Sequence, residues 1–301
     1  MDAGGDWRRG VTVSAIRQSG MKQSASAIPA QPPVAHPPLK WVGGKTVLLP
    51  EILPRLPKKI GTYYEPFVGG GAVFFALAAE KRFKGAVLND TNEELLNVYA
   101  KIRDVPELLM EFLEHSFNQD EKSYYKIRAQ VPSEELPRAA RTLYLNKVGF
   151  NGLYRVNRKG AFNVPWGKQE GRSIFDKENI LACSKVLEKA ALISCDFEKA
   201  TITATRGDVC YFDPPYVPVS ATANFTAYSA GGFGPEDQVR LRDVAKKLIA
   251  RGVHVLLSNA DMPMVRDLYK GFKLEQVQVA RRVNSKASKR GNVGELLISG
   301  K

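Results

Sequence analysis

Tyr63-Tyr64-Glu65-Pro66-Phe67-Val68-Gly69-Gly70-Gly71 runs directly into Ala72 to Lys81, a stretch of mostly small and apolar residues. The first part reads as a strand, the glycines as a turn and the rest as a buried helix. This is the opening of a βαβ unit, in which backbone N–H groups approach a nucleotide-like ligand. Tight helix–sheet packing would use the same glycines. About twenty residues further on, Ala86-Val87-Leu88-Asn89-Asp90 reads as a second strand ending in an acid, the position from which a carboxylate reaches ribose hydroxyls. Asp90 is therefore the expected ribose ligand, and a ribose-bearing cofactor the expected partner of an α/β sheet.

Two later strands end in comparable chemistry. Ala191 to Cys195 leads to Asp196 and Phe197, an acceptor and a ring suited to an adenine. Val209-Cys210-Tyr211-Phe212 leads to Asp213-Pro214-Pro215-Tyr216. The prolines have fixed φ and no N–H, which leaves the carbonyls of Asp213 and Pro214 free to accept from a ligand, while Tyr216 supplies a stacking face. A carboxylate and a carbonyl beside a ring suit the exocyclic amine of a nucleobase. From these four residues alone, an ordinary proline-rich turn fits equally well.

Ahead of the glycine turn lies Leu39-Lys40-Trp41-Val42-Gly43-Gly44-Lys45, in which paired glycines are flanked by a ring and a cation. The spacing is not that of a P-loop, which argues against a nucleotide triphosphatase. Residues 1–38 lack any helical or strand period and are expected to be a disordered tail, within which Met21 offers a second possible start of translation. Val47 to Leu53 predicts a short helix ended by Pro54.

Glu93 to about Asn146 is helical in pattern, with starts near Glu93, at Pro106 and around Pro137. The character then changes to hairpin-like grammar with turn signals at Asn151-Gly152 and Lys159-Gly160. Between Pro137 and Arg172 there are eight Lys or Arg and one acid, Glu170, a local excess of +7. Basic residues interleaved with rings and amides are suited to reading base edges and wedging into a stack, although a solvated loop is the plainer alternative. Helix Lys177 to Lys189, a mobile loop over Val219 to Gly234 containing Phe225 and Tyr228, helix Pro235 to Ala250, and strands at Val253–Leu257, Lys273–Ala280 and Glu295–Ser299 complete the chain. Between the last two strands, Arg281, Arg282, Lys286, Lys289 and Arg290 form a run without acids, placed to meet phosphates.

Composition agrees with a polyanionic partner. The 301 residues carry 44 Lys and Arg against 31 Asp and Glu, a net charge of +13, with 44% hydrophobic residues, enough for a sizeable core. No apolar run is long enough for a membrane span, and no signal-peptide core opens the chain. Cys183, Cys195 and Cys210 make no metal-ligand spacing and read as reduced core thiols, so no metal is expected.

The order of these parts resembles the Dam-type (D12 class, alpha-group) DNA adenine-N6 methyltransferases. In that family Trp-x-Gly-Gly-Lys, a Phe-x-Gly-Gly/Ala-Gly turn, an inserted recognition domain and Asp-Pro-Pro-Tyr follow one another. The likeness runs from Leu39 to Lys301 and includes Phe-Asn-Gly-Leu-Tyr-Arg at 150–155, Phe-Asn-Val-Pro-Trp-Gly at 162–167, Phe-Thr-Ala-Tyr at 225–228 and Leu-Ser-Asn at 257–259. It implies a Rossmann-like methyltransferase sheet (39–100 and 190–301) with an inserted, mainly helical DNA-recognition domain (101–189) that carries a β-hairpin. It further implies S-adenosylmethionine held by Trp41, Lys45, Phe67, Gly69, Gly71, Asp90, Asp196, Phe197 and Asp213, with the target adenine at Asp213, Pro214, Pro215 and Tyr216.

For double-stranded DNA, the resemblance implies Phe150 as a wedge and Lys40, Asn151, Leu153, Arg155 and Pro165 near the bases of a GATC site. Arg281, Arg282, Lys289 and Arg290 are the expected phosphate contacts. Phe150 stands where tyrosine is common, which keeps the ring and removes its hydroxyl. A monomer or weak dimer acting on DNA in the cytoplasm of a bacterial or phage-infected cell is expected, with a restriction partner conceivable. Variants of Asp-Pro-Pro-Tyr also serve RNA and protein-glutamine methyltransferases, and an inactive DNA-binding relative would keep the same fold. These are the alternatives.

Overall fold

The computed structural model describes residues 33–168, 173–216, 233–279 and 293–300. Expectations for residues 1–32, for Phe225 and Tyr228, for Glu170 and Arg172, and for Arg281, Arg282, Lys286, Lys289 and Arg290 lie outside the described residues. Seven strands form one sheet in the order β3-β2-β1-β4-β5-β7-β6. β1 (Ile60–Glu65), β2 (Phe83–Asn89), β3 (Ala190–Ile193), β4 (Val209–Phe212) and β5 (His254–Ala260) are mutually parallel. β7 (Val293–Ser299) inserts antiparallel between β5 and β6 (Lys273–Val279). This is a mixed α/β, Rossmann-like sheet, as expected. All four residues of β4 are buried, which explains its unbroken apolar reading.

The helices follow from local chemistry. α1 (Leu49–Ile52) is flanked by 3-10 turns, with Pro54 inside the second of them. α2 (Ala72–Ala79) is apolar around most of its circumference and buries Val73, Phe74, Phe75 and Leu77. Each such side chain contributes about 1.5–3 kcal/mol on burial, so the turn that feeds α2 is held from behind. Asn92 caps α3 (Glu93–Asp104) by accepting from Leu95 N, and Asp176 caps α7 (Lys177–Leu187) by accepting from Asn179 N. Pro106 opens α4 (Pro106–Ser116), and Pro235 opens α9 (Pro235–Ala250).

Some elements were not read from the sequence, and one was read differently. A further helix, α5 (Glu121–Ala129), precedes α6 (Glu135–Val148), and α10 (Pro263–Leu268) follows β5. α8 (Phe197–Ala200) is a single turn. Within the segment expected to be a β-hairpin, Gly149 and Trp166, and Val156 and Phe162, form isolated antiparallel bridges without a strand ladder. Residues 33–38, expected as the end of the tail, pack onto the fold instead. Ala35 is buried, and His36 exchanges hydrogen bonds with the Asn179 side chain at 2.9 and 3.0 Å. A motif-free, proline-rich segment carries no period, so its docking onto α7 could not be read from pattern.

α3 to α7 lie between β2 and β3 in the chain, and α3 packs on both α6 and α7. The recognition insert proposed over 101–189 thus begins within α3. Among the described residues no helix is long and apolar enough to cross a membrane.

Candidate active site

Because β1, β2, β3 and β4 are parallel, their carboxyl ends lie along one edge of the sheet, where open α/β sheets bind ligands. Glu65 ends β1, Asp90 follows β2, Asp196 follows β3 and Asp213 follows β4. They border one cavity of about 710 Å³. Trp41, Lys45, Phe67, Gly69, Gly71, Asp90, Asp196 and Phe197 all line it, together with Asp213, Pro214, Pro215 and Tyr216. So do Glu65, Cys195 and Phe233, for which sequence alone suggests no site role.

The glycine turn is set by its surroundings. Gly69 (φ 47°) and Gly71 (φ 70°) adopt left-handed backbone, and a Cβ on Gly69 would lie 2.8 Å from Trp41 Cδ1. The close approach that requires glycine here includes the Trp41 indole as well as any ligand. Asp90 Oδ2 accepts from Gly69 N at 3.0 Å and Oδ1 from Asn92 N at 2.9 Å, so this carboxylate also holds the turn to β2. Burial pushes the Asp90 carboxyl up, and the amides of Asn92 and Gly69 pull it back.

At the Asp213 corner the structure adds partners. Lys45 Nζ lies 2.7 Å from Asp213 Oδ1, 3.7 Å from Glu295 and 4.8 Å from the centre of the Tyr216 ring. The lysine expected at the cofactor turn therefore also neutralises the carboxylate expected to meet the target base. Ser258 Oγ donates to Asp213 Oδ1 at 3.2 Å and lies 2.8 Å from the Tyr211 hydroxyl. The Tyr216 hydroxyl donates to Glu295. Burial raises the Asp213 carboxyl, and Lys45 counteracts it. The one sequence signal for Glu295 is an acid inside an apolar strand; its role depends on β7 reaching the corner.

On the opposite wall, the Phe67 ring lies 5.6 Å from Phe197 and 5.5 Å from Phe233, an aromatic cluster able to hold a flat heterocycle. Asp196 caps α8 through Glu198 N and pairs with Arg240 at 2.7 Å, and Arg240 in turn covers the Phe197 ring. Cys183 and Cys210 are buried thiols, but Cys195 is only partly buried and lies on the cavity wall, a correction to its reading as a core residue.

Glu65 is 3% exposed, and its Oε2 has no hydrogen-bond partner among the described residues. Burial pushes its carboxyl well above the usual range. A carboxyl raised in the folded state stabilises the fold below its unfolded pKa and loses that contribution as pH rises through the folded value. Glu65→Gln, which keeps the shape and removes the ionisable charge, is thus expected to raise the stability of the ligand-free protein at neutral pH by about 1–3 kcal/mol, the scale on which burial disfavours the charged form. The gain should vanish on acidification below the carboxylate range. Thermal melts of both proteins across pH check this; equal melting temperatures at neutral pH would disprove it.

The segments expected to read DNA are brought together near the cavity. Lys40, Phe150, Asn151, Arg155 and Pro165 are exposed and Leu153 is half-buried. Asn151 takes left-handed backbone (φ 57°), and Phe150 N donates to Pro165 O at 2.9 Å. Arg155 Nε donates to Asn163 Oδ1 at 2.7 Å, which aligns the guanidinium along the loop. The ring of Tyr154 stacks on Trp41 at 5.0 Å, joining this loop to the cavity wall. Not all of the local positive excess faces outward. Arg138 pairs with Glu94, and Arg141 donates to the carbonyls of Ile127 and Arg128, capping α5. Among the described residues no cluster of His, Cys, Asp or Glu could hold a metal ion.

The model of the D12 class N6 adenine-specific DNA methyltransferases matches residues 41–283. The chain belongs to this family. This D12 methyltransferase is 44% identical over 273 residues to the type II methyltransferase M1.LlaDCHI of Lactococcus lactis subsp. cremoris, covering 88% of this chain and 95% of that one. It is 36% identical over 265 residues to the DNA adenine methylase of Vibrio cholerae, covering 86% and 94%. To the DNA adenine methylase of Escherichia coli K12 it is 35% identical over 264 residues, covering 86% and 93%. The D12 enzyme is an adenine-specific DNA methyltransferase acting on double-stranded DNA, in a family that generally uses S-adenosylmethionine.

Proposed function

We propose that this enzyme moves the methyl group of S-adenosylmethionine to N6 of an adenine turned out of duplex DNA, within GATC. The observation that carries this reading is one cavity holding both the Asp90–glycine-turn wall and the Asp213–Tyr216 corner. The donor set fits the cofactor. On this reading Asp90, which lines the cavity, would meet the ribose hydroxyls, the Phe67–Phe197 cluster a heterocycle, and the unpartnered Glu65 Oε2 an amine. When bound, S-adenosylmethionine supplies an electrophilic methyl group on a sulfonium centre.

The protein's own residues would do the rest. Adenine N6 is a poor nucleophile because its lone pair is delocalised into the ring. Asp213 and the Pro214 carbonyl, by accepting from the two N–H groups, favour a pyramidal nitrogen whose lone pair can be aimed. Tyr216 stacks on the base, and Phe150, which is exposed, fills the space that the base leaves. Asp213 would meet the amine as a carboxylate able to accept the proton that N6 loses on methylation, and because N6 is itself the nucleophile no covalent intermediate on the enzyme is needed. The enzyme is read as working in the cytoplasm as a monomer or weak dimer.

Labelled methyl transfer to duplex DNA, RNA and protein, followed by methyladenine mapping of DNA from cells expressing the chain, tests the reading. Methyladenine confined to motifs without GAT would refute the reader assignment. Arg155 is assigned to an outer guanine through bidentate contact with O6 and N7. Arg155→Ala should cost about 1–3 kcal/mol and relax choice at one outer base pair. Methylation that stays specific in the variant would remove Arg155 from that role.

A further inference from the structure

Asn146, near the end of α6, is completely buried (0% exposed), yet it serves two segments remote from each other in sequence. Lys40 N donates to its Oδ1 at 3.0 Å, and its Nδ2 donates to Lys40 O at 2.8 Å and to Gly152 O at 2.9 Å. The first two bonds pair the amide with the Lys40 backbone as a neighbouring strand would. The third ties in the turn at 150–152. Two carbonyl acceptors on one side and an N–H donor on the other dictate which amide atom is nitrogen, so only a carboxamide satisfies all three groups.

The side chains make the coupling closer. Gly152 has φ 66°, and a Cβ there would lie 2.6 Å from Lys40 Cδ and 2.9 Å from Lys40 Cβ, so the lysine stem is seated directly on the Gly152 backbone. Lys40 is thus placed against the same turn that displays Asn151 and Leu153. Base readout depends on narrow distances and angles, and a small displacement between two readers weakens the correct contact most. Other contacts, such as the Trp41–Tyr154 stack, still hold the two segments near each other without this amide.

We propose that Asn146 is a positioning residue for sequence specificity: by hydrogen bonding to both Lys40 and Gly152 it sets the spacing between the lysine and the 151–155 readers. The inference rests on the reading of those residues as base readers. Asn146 touches neither base nor cofactor in this scheme. Its effect is on discrimination, whereas a loss of stability would scale methylation of every duplex alike.

The test uses the full chain, S-adenosylmethionine and duplexes carrying the mapped target or one altered base pair. Single-turnover methylation is compared for wild type, Asn146→Ala, Lys40→Ala and the double variant, with cofactor titration and thermal melts alongside. Asn146→Ala should reduce discrimination about tenfold at the base pair where Lys40→Ala acts, the scale of one good base contact. Cofactor affinity should stay within about twofold, since the cofactor wall is untouched. In the Lys40→Ala background the Asn146 change should have no further effect at that base pair. If Asn146→Ala does not fold, the isosteric Asn146→Asp, which sets an oxygen against both carbonyls, is read in the same way. Wild-type discrimination in the folded Asn146 variants, or effects that multiply in the double variant, would overturn the proposal. If Lys40→Ala itself leaves discrimination intact, the reader assignment fails and the inference with it.

Discussion

Asp213→Ala loses methyl transfer by about 10²–10³-fold in single turnover, the scale of removing one preorganised polar group from a reacting centre, while duplex binding is largely kept. The reason lies in what the carboxylate faces. Asp213 sits at the buried end of β4, where Lys45 and Ser258 both bond to its Oδ1, and on the proposed reading the group faces the base rather than phosphates. Truncation also releases Lys45, but Glu295 lies 3.7 Å from its ammonium and can keep it paired. The fold should therefore survive. Asp213→Asn, which keeps the shape and part of the acceptor capacity, should fall between the two.

The same carboxylate predicts a pH dependence. Burial raises its pKa despite Lys45, and the amine-accepting form is the ionised one. Methyl transfer should thus fall on acidification at a pH above the ordinary carboxylate range, and this acid limb should be missing in the residual activity of Asp213→Asn. Quenched single-turnover assays with labelled cofactor decide both points. A rate near wild type in Asp213→Ala would remove the residue from the chemistry.

Duplex affinity falls steeply with salt. If the enzyme neutralises on the order of six phosphates, log K should decline against log salt with a slope of about −5, roughly a thousandfold between 50 and 200 mM. The chain has the charge for this, at net +13. Lys40, Arg155, Arg158 and Lys159 are exposed. Arg138 and Arg141 are not part of this supply, because Glu94 and the end of α5 occupy them. Charge reversal within Arg281–Arg290 should flatten the slope and weaken all sequences alike, whereas Arg138→Gln should leave it unchanged. Fluorescence anisotropy over a salt series measures the slope, and a nearly flat line would assign the basic excess to something other than nucleic acid.

Much of the fold was legible because its signals are local. A strand into glycines at Tyr63–Gly71, an acid after the next strand at Asp90, and proline starts at Pro106 and Pro235 each depend on neighbouring residues. Period and turn chemistry act over the same short range. With the ordered motifs, these were enough to indicate an α/β methyltransferase and to select the residues that line one cavity. Weakly periodic or short pieces escaped. α5 is a short helix with a modest apolar face, burying Tyr124 and Ile127, and the bridges around Val156 and Phe162 are too brief to carry strand alternation.

What tertiary structure alone decided is which charges and amides meet across long stretches of chain. β7 runs antiparallel between β5 and β6, with Glu295 opposite Ala260, and this order brings an otherwise unmarked acid to Tyr216 and Lys45. Docking of residues 39–45 against the glycine turn carries Lys45 to Asp213 and Lys40 to Asn146. A basic residue counted along the sequence has no partner until helices pack, and Arg138 and Arg141 found theirs on α3 and at the end of α5. Side-chain chemistry is written residue by residue, but pairing depends on strand order and helix docking, which set distances that no sequence spacing encodes.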